Sequence, residues 1–252
     1  MTAAARSTLI ILAVIFAVAV PSLQAAYQFG MSAAEFSFQG NGTLRVAGFA
    51  FAIWGLLYLG MIIYALYQAL PVARDSETLA IYAWPSFVAI SGCGLWILMA
   101  ALNQIWMTVV VISVSAAALI LALVRSQGAG VLRDRLLIAL PLNLLAGWLT
   151  IASIVNLVTV LTIERIITPD IAAMSGLAAV GGATLLAATV ALSGRSAFYL
   201  MPIIWGLYGV RVAEGTRQPL LADAAGVAVL LLGSLVVTML LMRLINFLSS
   251  QR

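Results

Sequence analysis

The chain has 252 residues, of which 64% are apolar and only 8% charged, with a mean hydropathy of +1.16 and a formal net charge of +4. These values lie far outside soluble globular composition and place nearly the whole chain in a membrane. All twelve basic residues are arginine and no histidine is present, which excludes a Schiff-base lysine, a histidine-box di-iron centre and a His-Glu zinc site.

A helix crossing the hydrocarbon core needs about 20 mostly apolar residues. That rule predicts eight helices, at about 7–26, 46–70, 79–102, 104–124, 136–162, 171–192, 196–213 and 221–247. Little chain remains for a soluble domain. The expected fold is an all-α integral membrane bundle of about eight transmembrane helices. The first segment also has the layout of a cleavable signal peptide, with Arg6, an apolar stretch from Ser7 to Val20 and then Leu23-Gln24-Ala25-Ala26. We take it as a helix.

With the N-terminus inside, the inner segments carry Arg6, Arg74, Arg125, Arg133, Arg135, Arg195, Arg243 and Arg252, and the outer ones Arg45, Arg165, Arg211 and Arg217. This excess predicts cytoplasmic N- and C-termini by the positive-inside rule, and the 125–135 loop contributes most to it. The pI near 9.6 comes from charge spread thinly over loops, so membrane lipid and not nucleic acid is the expected surroundings.

Charge inside the membrane is costly and marks function where it occurs. Here Glu35, Asp75, Glu77, Asp134, Glu164 and Asp170 all fall in loops or at helix ends. Arg211 and Glu214 are three apart near the end of the seventh helix and are expected to pair. Asp223 suits the start of the last helix. No ladder of carboxylates crosses the bilayer, so a proton-coupled pump is not expected. Cys93 is alone and cannot form an internal disulfide. No residue set for hydrolysis or metal binding emerges, so no catalytic or metal residue is assigned.

The deep polar groups are the amides Asn143 and Asn156, while Asn103 and Gln104 form the tight turn between the third and fourth helices. An amide in lipid must find partners. For Asn156 both helix bridging and a hydrogen bond to a ligand stay open. Trp84 and Trp106 lie near helix ends, as an interfacial belt requires. Trp54, Trp96, Trp148 and Trp205 lie nearer mid-span, either as packing residues or as flat walls for a ring-shaped guest. The match of Ile53-Trp54-Gly55-Leu56 to Ile204-Trp205-Gly206-Leu207 is too short to define a repeat.

Two helices carry more specific patterns. The second contains Trp54-x-x-x-Tyr58 and the fifth Trp148-x-x-x-Ala152-x-x-x-Asn156. In order and spacing they resemble the tryptophan-rich sensory proteins, the TspO or translocator-protein family. That family places a phenylalanine four residues before the second-helix tryptophan, where this chain has Ala50 between Phe49 and Phe51. Cys93 precedes Trp96 where the family tends to have asparagine, and Phe36-Ser37-Phe38-Gln39-Gly40-Asn41-Gly42 replaces a Trp-x-Pro-Pro run. The resemblance implies a TspO-like five-helix core over 1–162 and three additional C-terminal helices over 163–252, in a bacterial inner membrane.

It further implies a pocket beneath the 27–45 loop that binds a hydrophobic planar small molecule, porphyrin or sterol-like, for sensing or shuttling. The implied ligand-binding residues are Trp54, Tyr58, Trp96, Trp148 and Asn156, with Arg45 at the mouth able to meet a propionate. No cofactor is assigned, porphyrin being a candidate ligand. Without histidine the commonest axial haem ligand is missing, so a metal-free porphyrin is the simpler guest. Members often dimerise, and a homodimer is entertained without a named interface. The alternative is a transporter of a neutral or amphipathic solute, using the glycines between Gly176 and Gly182 and Pro85, Pro141 and Pro202 to break helices.

Overall fold

The computed structural model describes residues 2–127 and 130–249. Arg252, counted above among the inner arginines, lies outside them. Among the described residues every regular element is helical. α1 (Ala3–Tyr27) leads to the short α2 (Ala33–Gln39), and a 3-10 turn, Gly48–Ala52, opens α3 (Ile53–Ala69). α4 (Glu77–Ala101) and α5 (Ile105–Ser126) form a hairpin. One turn of α6 (Leu132–Asp134) passes through a π turn, Arg135–Ala139, into α7 (Leu140–Ile163). The wide turn falls where Pro141 has no N–H to offer the carbonyl four residues back. α8 (Ala172–Ser193), α9 (Leu200–Glu214) and α10 (Pro219–Ser249) follow.

The eight long helices match the sequence expectation to within a few residues at each end. Among the described residues seven are long and apolar enough to cross a membrane. α9 is not among them. Its 15 residues rise only about 22 Å, against a hydrocarbon core of roughly 30 Å. Its start is delayed from the predicted 196 to Leu200 by a turn in which Arg195 takes a left-handed φ of 51°.

Packing closes a ring. α1 lies against α3 and α4, α4 against α5, α5 against α7, and α7 against α3. α9 covers the outer side of α7 and touches the Gly48–Ala52 turn, flanked by α8 and α10. α1 is part of this core, with Ile10 and Ala17 fully buried. Trp84 and Trp106 are exposed at opposite ends of the α4–α5 hairpin, the two levels at which an aromatic belt sits.

α7 is the most enclosed of the spans, and its amide side chains need partners from other helices. Asn143 accepts from the Tyr82 hydroxyl at 2.9 Å and donates to Ser196 at 3.0 Å. Thr150 accepts from the Tyr199 hydroxyl at 2.9 Å. Below them the Asp134 carboxylate accepts from Tyr67 and from Ser76, each at 2.5 Å. Hydrogen bonds thus close the end of the bundle away from α2.

Small residues set the helix spacing. A Cβ on Gly147 would run into the Tyr199 carbonyl, and one on Gly92 into the Ser115 hydroxyl. The first obstacle is backbone; the second can rotate away. Gly147→Ala is therefore expected to destabilise by about 1–3 kcal/mol. Gly92→Ala should be close to neutral, because alanine's better helix propensity, up to about 1 kcal/mol, offsets the adjustment. Thermal unfolding in detergent checks the ranking, and an equal or reversed order would contradict the assigned α7–α9 contact.

Candidate functional site

The ring of helices encloses an apolar cavity near the end covered by α2. Its walls are Trp54 and Phe51, Cys93 and Trp96 of α4, Ile112 and Ser115 of α5, and one face of α7 from Trp148 to Thr159. α2 contributes Ala33, Phe36 and Ser37, and α9 contributes Gly206. No charged side chain lines it among the described residues. The cavity holds about 70 Å³ of free space as the side chains stand, and it is partly open to the outside.

The tryptophans form a connected wall. Trp148 meets Trp54 edge to face, with ring centroids 6.2 Å apart, and meets Phe51 likewise at 6.5 Å. Trp96 takes the edge of Phe36 at 5.8 Å. The Trp148 indole N–H is buried and has no hydrogen-bond partner. Such a donor is costly to leave unmatched, and a guest carrying an acceptor would relieve it.

Of the residues expected from sequence, Trp54, Trp96, Trp148 and Asn156 meet at this cavity. Tyr58 does not line it. It stacks on Trp54 at 5.4 Å and so fixes that ring from behind. Arg45 does not line it either; its backbone N–H donates to Glu214 at 2.6 Å. Asn156 bridges helices as well as lining the wall. It accepts from the Trp96 indole at 3.2 Å and donates to Thr108 at 2.9 Å, so α4, α5 and α7 are joined at one amide.

Trp205, the fourth mid-span tryptophan, lies outside the cavity and donates to the Ala50 carbonyl at 2.9 Å. Ala50 is fully buried, and its Cβ would stand 3.0 Å from a Cβ placed on Gly209. A phenylalanine at position 50 would collide with α9. Phe51 supplies the cavity ring one residue later.

α2 lies over the mouth. Its first turn carries a capping box: Glu35 accepts from the Ser32 N–H at 2.7 Å, and Ser32 accepts from the Glu35 N–H at 3.2 Å. At its end Gly40 sits so close to Thr159 of α7 that any side chain would collide. The Ser32 N–H, joined by its hydroxyl, holds the Glu35 carboxyl below the usual glutamate range.

The segment 42–50 that ties α2 to α3 is gripped from the other side. Glu214 is fully buried and takes two bonds from the Arg217 guanidinium, at 2.6 and 2.8 Å, as well as the Arg45 N–H. Arg217 also donates to the Gly42 carbonyl at 3.2 Å and Gln218 to the Thr43 carbonyl at 3.3 Å. The expected Arg211–Glu214 pair is not formed. Both partners lie at a spacing of three, but Arg217, beyond the helix end, can reach the strap as well, whereas Arg211 packs on Gly226 of α10. Sequence reasoning missed this role of α9, which no motif announces.

Seven apolar helices around a buried aromatic chamber define an integral, multi-pass membrane protein. The family model described as TSPO-like protein matches residues 7–240, and the chain belongs to that family. The matched stretch continues past residue 162 into α10. No curated protein and no solved structure gives a significant match.

Two predictions follow from this geometry. Because the folded Glu35 pKa is depressed, its support of α2 is fully present above the unfolded glutamate value of about 4.3 and is lost as pH falls through the lower folded value. Hydrogen exchange at the first α2 amides, corrected for intrinsic rates, should rise on acidification in that range, and Glu35→Gln should remove the pH dependence. A flat profile in the parent would contradict the capping role. Asn156→Leu strands the Trp96 indole N–H and should cost about 0.6–2 kcal/mol, read from thermal unfolding; an unchanged midpoint would mean that the amide bridges nothing of consequence.

Proposed function

We propose that the protein binds a hydrophobic, flat small molecule, porphyrin or sterol-like, in the chamber beneath α2, for sensing or shuttling. The observation that carries this reading is the Phe51–Trp54–Trp148 aromatic wall of a mostly apolar cavity, with the buried Trp148 indole N–H left unpartnered. Rigid rings give a planar guest a large contact surface at little entropic cost. Ligand pockets for drug-sized molecules run to about 300–1,000 Å³. The free space in the chamber is far below that, so a guest of this size requires its walls to move apart.

Membership of the TSPO-like family supports the same reading. At the far end the bundle is bridged by hydrogen bonds among Tyr82, Asn143 and Ser196, so in this conformation the chamber has a single mouth, beneath α2. By the arginine distribution both termini face the cytoplasm of a bacterial inner membrane and the mouth faces away from it, an arrangement in which α9 crosses with its neighbours despite its 15 residues.

Metal-free protoporphyrin added to the full chain in detergent should quench tryptophan fluorescence saturably. Trp148→Phe should weaken the apparent affinity roughly tenfold, the equivalent of losing one hydrogen bond and a ring contact. Trp205→Phe, outside the cavity, should leave it unchanged. Quenching that does not saturate, or that responds equally to both substitutions, would mean partition into the detergent and defeat the proposal.

A further inference from the structure

The strap 42–50 forms part of the chamber wall. It leads from α2 into the 3-10 turn that opens α3, supplies the wall residue Val46 and is followed by the wall residue Phe51. α9 and the turn after it hold this strap along its length. Gly42, Thr43, Arg45, Ala47 and Ala50 each make a backbone hydrogen bond to Arg217, Gln218, Glu214, Gly209 and Trp205 respectively.

These restraints are not equal. Three join neutral backbone groups to neutral donors or acceptors that water could replace in the open state, at little net cost. Glu214 differs because it is fully buried, ion-paired and shared: its carboxylate holds Arg217 by two bonds and the Arg45 N–H by a third. Arg217 in turn reaches the Gly42 carbonyl. Without the carboxylate the Arg45 N–H loses its partner and the guanidinium keeps only the Gly42 carbonyl. Toward α7, Gly40 packs on Thr159 and the strap's Thr43 hydroxyl meets that of Thr162 at 2.8 Å, a contact that Glu214 does not govern.

We propose that the C-terminal end of α9 is the latch of the chamber: Glu214, oriented by Arg217, pins the strap shut, and access to the cavity requires that grip to open. Glu214 and Arg217 are positioning residues that touch no guest. The functional meaning of the latch rests on the ligand-binding reading, but its operation does not.

Cys93 gives a direct readout. It is the single cysteine of the chain, it is buried and it lines the cavity, so its alkylation by uncharged N-ethylmaleimide reports how often the chamber opens. Glu214→Gln should accelerate labelling of Cys93 roughly tenfold, the loss of an ion-pair partner. Arg217→Gln should accelerate it less, and it carries the test if Glu214→Gln does not fold. A disulfide between Thr43→Cys and Thr162→Cys, placed in the Glu214→Gln background, should restore slow labelling of Cys93, read by peptide mass so that the added cysteines are counted apart, and reduction should release it. This rescue separates a latch from a general loosening of the bundle.

Parent-like labelling rates in both latch variants would overturn the proposal. So would acceleration that persists with the disulfide closed. No ligand enters the measurement, so failed porphyrin quenching with latch behaviour intact would count against the ligand reading alone. Saturable quenching with labelling indifferent to Glu214 would count against the latch alone.

Discussion

The hydrogen-bonding demand of α7 organises the whole bundle. This helix is enclosed by α3, α5, α8 and α9; in a medium without water its hydroxyls can donate to carbonyls of α7 itself, but its amides need partners from other helices. Asn143 finds Tyr82 and Ser196, Thr150 finds Tyr199, Asn156 finds Trp96 and Thr108, and Thr162 finds Thr43. Each contact of this kind is worth only about 0.6 kcal/mol on average in a membrane. Their value lies in register: they fix which faces of α4, α5, α9 and the strap can meet α7. The cavity is what the aromatic face of α7 leaves between those fixed neighbours.

That constraint explains why the polar groups of α7 change role along its length. At the end distant from α2 they close the bundle completely. At the other end the face turns to Trp148, Ala152 and Asn156, and the wall becomes apolar with one unpartnered group, the Trp148 indole N–H. The strap is held by charged and neutral bonds at its edges while the chamber itself carries no charge among the described residues, so opening can be controlled without altering the binding surface.

Much of the fold was legible in the sequence because the signal was length and apolarity. Eight spanning helices were expected, and among the described residues seven are long and apolar enough to cross, since a run of about 20 apolar residues has no other solution in lipid. α9 was placed but overestimated, because composition does not reveal that Arg195 turns the chain and delays the helix to Leu200. The tryptophan and asparagine spacing singled out Trp54, Trp96, Trp148 and Asn156, four residues that do meet at one cavity. Tyr58 belongs to the same pattern but acts from behind Trp54, a distinction that helical spacing does not carry. The partner of Glu214 was illegible for a plain reason: arginines stand three residues away on either side, and only the position of the strap decides between them. Likewise Ala50 looks like a departure from the family pattern until the approach of Gly209 shows why a larger residue has no room.

The central claim is that an apolar guest occupies the chamber bounded by Trp54, Trp96 and Trp148, next to Cys93. The most direct measurement is the rate at which N-ethylmaleimide alkylates Cys93 in the parent protein, with and without saturating metal-free protoporphyrin. Occupancy of the chamber predicts that labelling falls in proportion to the fraction bound, reaching a low plateau. Labelling that proceeds at the same rate at every porphyrin concentration would place the guest elsewhere and contradict the account.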